Sequence, residues 1–394
     1  MSSRNLSARI AVISGASDEG FIVRKLLNSY ILAGYTVKFL GWDRLRQKPK
    51  HAVVDGVDSE HIMHGWGFAN WRLVFGLPIW MLRLMLRCMT LQTDLIHVLD
   101  FDCGFPVAVI GWLRGIPFVY DIQDGFGQRH HWPFPLNLII RYLDGWVAKQ
   151  ASGILVPDEN RITDFLEKHK NKILVIPNCA PDVYSPSLFQ GAGSVVSSAA
   201  VKPFTVMALG NLSERRGIGL LLEATKRFPD IRVLMAGQFV EPALREVALS
   251  IPQVDFRGWL PVEQALQLGH QADVIFAFYD PSIEINRRAS SSKWGDSMML
   301  AKPILANREL MKASWIEQQG IGFLCSYGSV DELVKCLQYI KEHPEEAEER
   351  GRRGRVLYES EFNWPVMEKK ILQMAQDILT PRGDCAGAGR KTGK

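Results

Sequence analysis

The chain of 394 residues carries a formal net charge of +4, with 47% hydrophobic and 22% charged residues. This length suffices for two globular domains rather than one, and a small, evenly spread charge argues against a nucleic-acid-binding protein. The six cysteines lie far apart, without the paired spacing of a zinc site or the density of a disulfide scaffold, which favours a reducing compartment.

The start of the chain, Met1–Ala8, is short and polar and leads directly into a strand-like run. This pattern predicts neither a secretory signal nor a transit peptide. We therefore expect the protein to stay in the cytosol.

Short apolar runs alternate with helical patterns along the first half of the chain, which is typical of a parallel sheet with helices on both faces. The predicted strands are Arg9–Ser14, Thr36–Gly41, Asp94–Leu99, Pro117–Asp121, Gly153–Val156 and Lys172–Ile176. The predicted helices are Gly20–Leu32, a long helix after Gly67, Phe105–Leu113, Pro135–Gln150 and Asn160–Lys168. We assign residues 1–190 to one doubly wound, Rossmann-like domain.

A low-complexity stretch within residues 190–200 predicts a linker, which we place at 191–203. The same alternation then resumes and predicts a second α/β domain over 204–362. Its predicted strands are Phe204–Ala208, Arg232–Ala236, Val254–Arg257, Asp273–Phe278, Pro303–Ala306 and Gly322–Leu324. Its predicted helices are Gly217–Lys226, Pro242–Leu249, Val262–Leu268, one around Lys293, Val330–Glu342 and Glu345–Glu359. Residues 363–379 form a last helix, and the Gly-rich, basic tail 380–394 is expected to be disordered.

One apolar stretch, Trp71–Met89, contains Arg72, Arg83 and Arg87 as well as Pro78. Three arginines in so short a span argue against a membrane-crossing helix. The stretch is either the long helix that covers one face of a sheet or an amphipathic helix that lies on an anionic membrane surface. One helix can do both.

A cation and a carboxylate, Lys293 and Asp296, lie three residues apart just before the predicted strand Pro303–Ala306. On a helix, this spacing puts them on one face. If the helix begins near Ser291, then Ser292, Lys293 and the free N–H groups of the first turn can bind phosphate, while Asp296 can accept hydrogen bonds from ribose hydroxyls. The alternative is a core-packed amphipathic helix with no ligand.

This segment resembles the donor-site signature of the family 4 glycosyltransferases, written roughly S-P-x-K-x-x-E-x-M-x-x-G-x-P-I. Lys293 and Met298 match it, Asp296 stands where Glu is usual, Ala301 replaces Gly, and Arg288 occupies the place of an earlier Glu. The resemblance implies the GT-B fold, in which two doubly wound Rossmann-like domains face each other across a cleft. It also implies that the last helix crosses back to the first domain.

A second motif, Gly210-Asn211 followed by Arg215-Arg216-Gly217, resembles the family's glycine and basic turn, which binds the donor diphosphate. A cation beside a helix N-terminus suits a pyrophosphate leaving group. The alternative is a solvated pair of arginines on a loop. With Lys293, Arg216 would neutralise the leaving nucleotide without a metal ion.

Two further residues extend the predicted donor site. Trp259 follows a strand at the place where the family receives the nucleobase, and it either stacks there or belongs to the core. Gly15 follows the first strand, where the family often has a Gly-Gly pair that approaches the donor phosphates; a plain turn is the alternative.

The first domain resembles a subgroup of prokaryotic surface-polysaccharide glycosyltransferases in the acidic run Val119–Phe126 and in Pro157–Arg161. In many members of this family a His lies near the position that Gln123 occupies here, close to the reacting sugar.

The carboxylates in and near these segments suggest acceptor-side roles. Asp100 or Asp124 could hold or deprotonate an acceptor hydroxyl, and Asp102, Gln123 and Gly125 are assigned to acceptor binding. The alternative is that Asp100 and Asp158 cap helices. The spacing of Asp100 and Asp102 is that of a metal-dependent GT-A enzyme; in a GT-B protein we expect no metal and no cofactor.

Together these features predict a glycosyltransferase that moves a sugar from a nucleotide diphosphate sugar to a hydroxyl of a glycan or lipid-linked glycan, with retention at the anomeric carbon. A true base in the first domain would instead give inversion. Two alternatives stay open, a degenerate binding subunit of a partner transferase and a nucleotide-sugar epimerase. The possible partners are the donor, the acceptor and an anionic membrane surface on its cytoplasmic side, and no nucleic acid.

Overall fold

The computed structural model describes residues 8–17, 20–67, 72–123, 134–179, 182 and 203–380. The chain divides into two compact units. The first contains Met1–Ile176 and Glu368–Lys394, and the second contains Pro177–Met367. Most of the predicted linker and nearly all of the predicted tail lie outside the described residues.

In the described part of the first unit, eight strands form a sheet of order β3-β4-β2-β1-β5-β6-β7-β8. The strands are β1 Arg9–Ser14, β2 Thr36–Asp43, β3 His51–Val54, β4 Val57–His64, β5 Leu95–Leu99, β6 Phe118–Asp121, β7 Gly153–Val156 and β8 Ile173–Val175. The helices are α1 Phe21–Leu32, α2 Leu73–Met89, α3 Phe101–Arg114, α4 Leu136–Gln150 and the single turn α5 Asp164–Glu167. All neighbouring strands are parallel except β3 and β4, which are antiparallel. This arrangement is the predicted doubly wound one with an added edge hairpin.

A layer formed by α2, α3 and α4 covers one face of this sheet, and buried residues of all three helices join one apolar core. At its centre the rings of Trp42 on β2 and Trp80 on α2 stack with centroids 5.6 Å apart. Both indoles are fully buried. The predicted buried role of the Trp71–Met89 stretch is thus confirmed, because Trp80, Leu84 and Cys88 place one side of α2 in this core.

The second unit contains a six-stranded parallel sheet of order β11-β10-β9-β12-β13-β14 within its described residues. Its strands are β9 Phe204–Leu212, β10 Ile231–Phe239, β11 Val254–Phe256, β12 Val274–Ala277, β13 Ile304–Asn307 and β14 Gly322–Cys325. Its helices are α6 Ile218–Arg227, α7 Pro242–Leu249, α8 Val262–Leu268, α9 Glu284–Arg287, α10 Ser292–Met299, α11 Ala313–Gln319, α12 Val330–Glu342 and α13 Pro344–Leu357. The last helix, α14 Trp364–Leu379, begins in the second unit and continues in the first. The strand order is that of a dinucleotide-binding Rossmann fold, in which the order reverses between the first and fourth strands, here β9 and β12.

Successive residues of β9 pack into different apolar cores, which is the period-two pattern of a strand buried on both faces. Val206 and Ala208 belong to one core, whereas Met207 belongs to the other and Leu209 packs against it. Both faces of the sheet are covered, so a ligand has access at the strand ends.

Some of the predicted secondary structure is wrong, and the short helices α9 and α11 were not predicted. The predicted helix Asn160–Lys168 is a 3-10 turn at Glu159–Arg161 followed by the single turn α5. Ile162 and Thr163 between them have extended backbone angles, consistent with the poor helix preference of β-branched residues. The hairpin β3–β4 was not predicted, because Asp58, Glu60 and the histidines of β4 break the apolar pattern of a buried strand.

Candidate functional site

A pocket of about 190 Å³ lies in the second unit at the carboxyl ends of β9 and β12, where the strand order reverses. Ligands of open α/β sheets bind at this kind of switch point. The lining residues come from the ends of the two strands, from the turn before α6 and from the start of α10. They are Ala208, Leu209, Gly210, Asn211, Arg216, Ile218, Phe276, Ala277, Phe278, Tyr279, Ser292 and Lys293.

One wall of the pocket is the N-terminus of α10. Ser291 caps this helix, because its hydroxyl oxygen accepts a hydrogen bond from the backbone N–H of Lys293 at 3.1 Å. The Lys293 ammonium lies 3.1 Å from a carboxylate oxygen of Asp296 and 3.2 Å from the hydroxyl of Ser292. Lys293 and Asp296 therefore share one helix face, as their spacing predicted, and Asp296 is only 6% exposed.

The opposite cation is Arg216, at the end of a 3-10 turn between β9 and α6. Its guanidinium carbon lies 4.0 Å from the centre of the Tyr279 ring. One guanidinium nitrogen, Nη1, is buried and has no hydrogen-bond partner among the residues that the structure describes. Buried donors are almost always paired in folded proteins, so an unpaired cationic donor at a pocket wall is suited to an anionic ligand.

Glycines let the backbone and the cations come close together here. Gly210 has φ +88°, and a Cβ at this position would lie 3.7 Å from the Lys293 ammonium nitrogen. Beside it, Gly237 of β10 has φ +143°, and a Cβ there would overlap the carbonyl oxygen of Gly210. Side chains are therefore sterically excluded at Gly237, and the end of β9 stays open toward Lys293.

The structure brings five of the predicted donor residues to one pocket, namely Gly210, Asn211, Arg216, Ser292 and Lys293. Asp296 is joined to them through Lys293. Two others are elsewhere in the second unit and do not line the pocket. Arg215 is exposed, and its carbonyl accepts a hydrogen bond from Asp280 N–H at 2.9 Å. Trp259 is 74% exposed on the loop after β11, so the core alternative for this residue is wrong.

Sequence reasoning missed the residues that support the pocket. Tyr279 stacks under Arg216 and donates its hydroxyl to Ser291, so one side chain contacts both cationic walls. The Tyr279 backbone N–H in turn donates to the side-chain oxygen of the fully buried Asn307 at 2.9 Å. The available signal was position, since Tyr279 follows β12 and Asn307 ends β13, where functional residues of parallel sheets collect.

In the first unit, predicted residues gather at the carboxyl ends of β1, β5 and β6. Asp102 is 7% exposed, with a carboxylate oxygen 3.9 Å from an Arg44 guanidinium nitrogen. Gly15 lies against it, because a Cβ on Gly15 would be 2.5 Å from the Asp102 carboxylate. The close approach of Asp102 therefore depends on the absence of a side chain at Gly15. No sequence motif had indicated this role of Gly15.

Asp100 has φ +58° and ψ 167° at the junction of β5 and α3. Residues other than glycine rarely adopt this conformation, and such strain is typical of functional sites. Its side chain does not cap α3 but accepts a hydrogen bond from the Gln123 backbone N–H at 3.0 Å, so the capping alternative is wrong for Asp100. It is confirmed for Asp158, whose carboxylate accepts from Asn160 N–H. Asp124 and Gly125 lie outside the described residues.

A buried hydrogen-bonded chain supports Gln123. The Tyr30 hydroxyl lies 2.9 Å from Nδ1 of His97, and Nε2 of His97 lies 3.2 Å from Asp121. The Gln123 amide donates to the same carboxylate at 2.6 Å, while its own Oε1 is buried without a partner among the described residues. The amide nitrogen of Gln123 is therefore held by a hydrogen bond, and its amide oxygen is available as an acceptor.

Metal-binding clusters and membrane-spanning helices are both absent from the described residues. Among residues 8–380 with their gaps, no group of three or more His, Cys, Asp or Glu side chains has the geometry of a metal site, and whether a metal takes part stays a prediction. None of the helices that the structure describes is long and apolar enough to span a membrane.

Comparison with known proteins bears directly on this pocket. Residues 215–373 match the family described as "Glycosyl transferase-like". Most of the second unit is therefore similar to a glycosyltransferase domain. This match begins at the basic turn and includes all of α10, and it confirms the predicted glycosyltransferase class. No curated protein sequence matches the chain.

Solved structures confirm the GT-B fold over nearly the whole chain. A sucrose-phosphate synthase from Thermosynechococcus elongatus is 16% identical, with a TM-score of 0.71 over 94% of this chain and 99% of its own. Anabaena HepE in complex with UDP-glucose is 16% identical, with a TM-score of 0.66 over 94% and 99%. A trehalose-6-phosphate synthase studied for glycosyl transfer with retention is 12% identical, with a TM-score of 0.65 over 94% and 99%. At such identities the likeness is one of fold.

Proposed function

We propose that this glycosyltransferase belongs to family 4 and transfers a sugar from a nucleotide diphosphate sugar to a hydroxyl of a glycan or lipid-linked acceptor in surface-polysaccharide biosynthesis. The observation that carries the proposal is the pair of cations on two walls of one pocket. Arg216 and Lys293 both line it, and Arg216 Nη1 is an unpaired buried donor.

A diphosphate fits this arrangement for three reasons. The two side chains supply charge-assisted donors, the start of α10, with the positive end of the helix dipole, lies at the same pocket, and Gly210 admits the ligand close to the strand end. Asp296, fixed on Lys293, is the proposed partner of the ribose hydroxyls. Uridine diphosphate is the first nucleotide to test, since the similar HepE structure holds UDP-glucose.

In the proposed reaction the bond between the anomeric carbon and the diphosphate oxygen breaks, and a bond to the acceptor oxygen forms. Arg216, Lys293 and the positive end of the α10 dipole stabilise the negative charge that develops on the departing diphosphate. The departing phosphate takes up the acceptor proton on the same face of the sugar, which retains the anomeric configuration. The fold shared with a synthase studied for retention supports this part. We further propose a cytoplasmic location and no metal or cofactor.

The test is nucleotide binding by the full chain, measured by calorimetry and by thermal shift with UDP, GDP, ADP and their sugars. A ligand of the native state raises the melting temperature. We expect Arg216→Ala to weaken binding of the preferred nucleotide by about 1.5–3 kcal/mol, roughly 10- to 150-fold in Kd, and to slow turnover more than it lowers stability.

The matched control is Lys226→Ala, which removes one exposed cation from the other end of α6, where Lys226 pairs with Glu223. Binding should be unchanged in this variant. If no nucleotide or nucleotide sugar binds the wild-type chain, the proposal fails. A transferred product, with its anomeric configuration read by NMR, separates a retaining transferase from an inverting enzyme, an epimerase and an inactive subunit.

A further inference from the structure

The helix α2 exposes a continuous apolar stripe on the side opposite its buried residues. Phe75, Ile79, Leu82, Leu86 and Met89 follow one another at intervals of four and three residues, which places them on one helix face. Each is between 39% and 64% exposed. The buried side of the same helix packs on the sheet, so the stripe lies on the outer side of the helix.

The neighbouring helices extend the stripe into a surface. The helix α3 packs against both α2 and α4, and all three share one core beneath them, so their outer sides point the same way. On that outer side, Trp112 of α3 is 68% exposed, and Ile139 and Tyr142 of α4 are 50% and 76% exposed. We call the exposed apolar residues of α2, α3 and α4 together the apolar face. Soluble monomers rarely expose so many large apolar side chains in one region unless the region binds something.

Charge indicates what this face binds. All residues of the three helices are described, and their only acidic side chains, Asp102 and Asp144, are 7% and 5% exposed. Their exposed charged side chains are Arg83, Arg141 and Lys149, all cationic. Aromatic and aliphatic side chains flanked by cations, with no exposed carboxylate, match the interface of a bilayer that contains anionic lipids.

We propose that the apolar face docks on an anionic lipid surface, with the stripe of α2 at the level of the lipid headgroups and the three cations on lipid phosphates. This inference rests on the proposed function and deepens it, because it places the transferase at the surface that holds a lipid-linked acceptor. A second copy of the chain is a poorer fit, because a two-fold contact would bring the cations of this face toward one another.

The structure shows which arginine of α2 should be substituted to test this proposal. Arg87, which the sequence had suggested as a membrane contact, donates three hydrogen bonds of 2.8–3.0 Å to the carboxylate of the buried Glu60. An acidic residue at 87 would leave the Glu60 carboxylate without its partner and repel it, which would destabilise this part of the sheet. Arg83 is exposed and is the residue to change.

The experiment is co-sedimentation of the full chain with vesicles of phosphatidylcholine alone or mixed with phosphatidylglycerol, at low and high salt. We expect binding to the anionic vesicles that weakens with salt. The double variant Leu82→Asp, Leu86→Asp should lower the partition coefficient at least about tenfold, and Arg83→Glu should lower it several-fold. The matched controls are Leu249→Asp, at an apolar position of the second unit that is 53% exposed, and Arg245→Glu on the same helix. Both controls should bind vesicles like the wild type.

Nucleotide affinity, measured on the same preparations, keeps the two proposals apart. Wild-type protein that binds nucleotide but no anionic vesicle overturns the docking inference alone, as does undiminished vesicle binding by the Leu82, Leu86 variant. A dimer that the same substitutions dissociate, without vesicle binding, assigns the face to a second copy and also overturns it. Vesicle binding without any nucleotide binding refutes the proposed function and leaves the docking surface standing.

Discussion

Tyr279 holds Arg216 over its ring, with the guanidinium carbon 4.0 Å from the ring centre. The hydroxyl of the same tyrosine bonds the Ser291 cap of α10, the helix that carries Lys293. The two cations of the pocket are therefore fixed by one side chain at the end of β12. The hydrogen bond can be removed without the stacking contact.

Replacing Tyr279 tests this support. Tyr279→Phe keeps the ring under Arg216, so nucleotide affinity should stay within a few-fold, while loss of the bond to Ser291 costs about 0.5–1.5 kcal/mol of unfolding free energy. Tyr279→Leu also removes the cation–π contact and should weaken binding by a further ~0.5–2 kcal/mol. Calorimetry and urea unfolding measure the two effects. Equal affinities for the Phe and Leu variants would show that the ring does not position Arg216.

Asp296 is predicted to bind the ribose. Asp296→Ala should weaken nucleotide affinity by roughly 1.5–3 kcal/mol if charge-assisted hydrogen bonds are lost. Because the residue is 6% exposed and bonded to Lys293, stability must be measured alongside by urea unfolding. Asp296→Glu restores the residue usual in the family and should retain most of the affinity. Unchanged affinity in the Ala variant would remove Asp296 from the donor site.

Gly237 is predicted to be irreplaceable. A methyl group there overlaps the Gly210 carbonyl oxygen and requires φ +143°, so Gly237→Ala should cost more than about 3 kcal/mol of unfolding free energy. Gly258→Ala is the control, since Gly258 has φ +72° but open space within 4 Å of the place its methyl group would take. It should cost only ~1–2 kcal/mol. Similar losses in both variants would argue against the steric account.

Asp144 predicts a pH dependence of stability. Burial raises the pKa of this carboxyl to about 6, and the hydrogen bond from Tyr120 lowers it in part. Since the folded pKa exceeds the unfolded one, the folded state binds the extra proton, and this stabilisation is present below about pH 4 and lost as the pH rises through about 6.

Asp144→Asn keeps an oxygen for the Tyr120 hydroxyl but cannot ionise. Relative to this variant, the wild type should lose up to roughly 3 kcal/mol of unfolding free energy as the pH rises from about 4 to 7. Urea unfolding across that range measures the difference. Parallel pH curves for the two proteins would contradict a raised pKa for Asp144.

Much of the architecture was predictable from the sequence because buried parallel strands are short, apolar and separated by amphipathic helices. The strand Gly153–Val156 and the helices Pro242–Leu249 and Val262–Leu268 were predicted to the residue. The hairpin β3–β4 was not, because the edge of a sheet is partly solvated and its strands need not be apolar.

Some residues of the candidate site were likewise predictable from the sequence, and others were not. The pairing of Lys293 with Asp296 follows from helical spacing alone, and the basic turn at Arg216 follows from a glycine-flanked motif. The supporting role of Tyr279 could not be predicted from the sequence, because a tyrosine after an apolar strand gives the same pattern whether it packs in the core or stacks on an arginine.

The sequence by itself determined two parallel α/β units, a capped helix that presents a cation and a carboxylate on one face, and an arginine before another helix, since each depends on residues within a few positions of one another. Only the tertiary structure decided that Arg216 and Lys293 share one pocket, that Arg87 is bound to Glu60, and that the outer sides of α2, α3 and α4 form one apolar face. These relationships join residues far apart in the chain, and sheet order and helix packing, which local sequence patterns do not encode, bring them together.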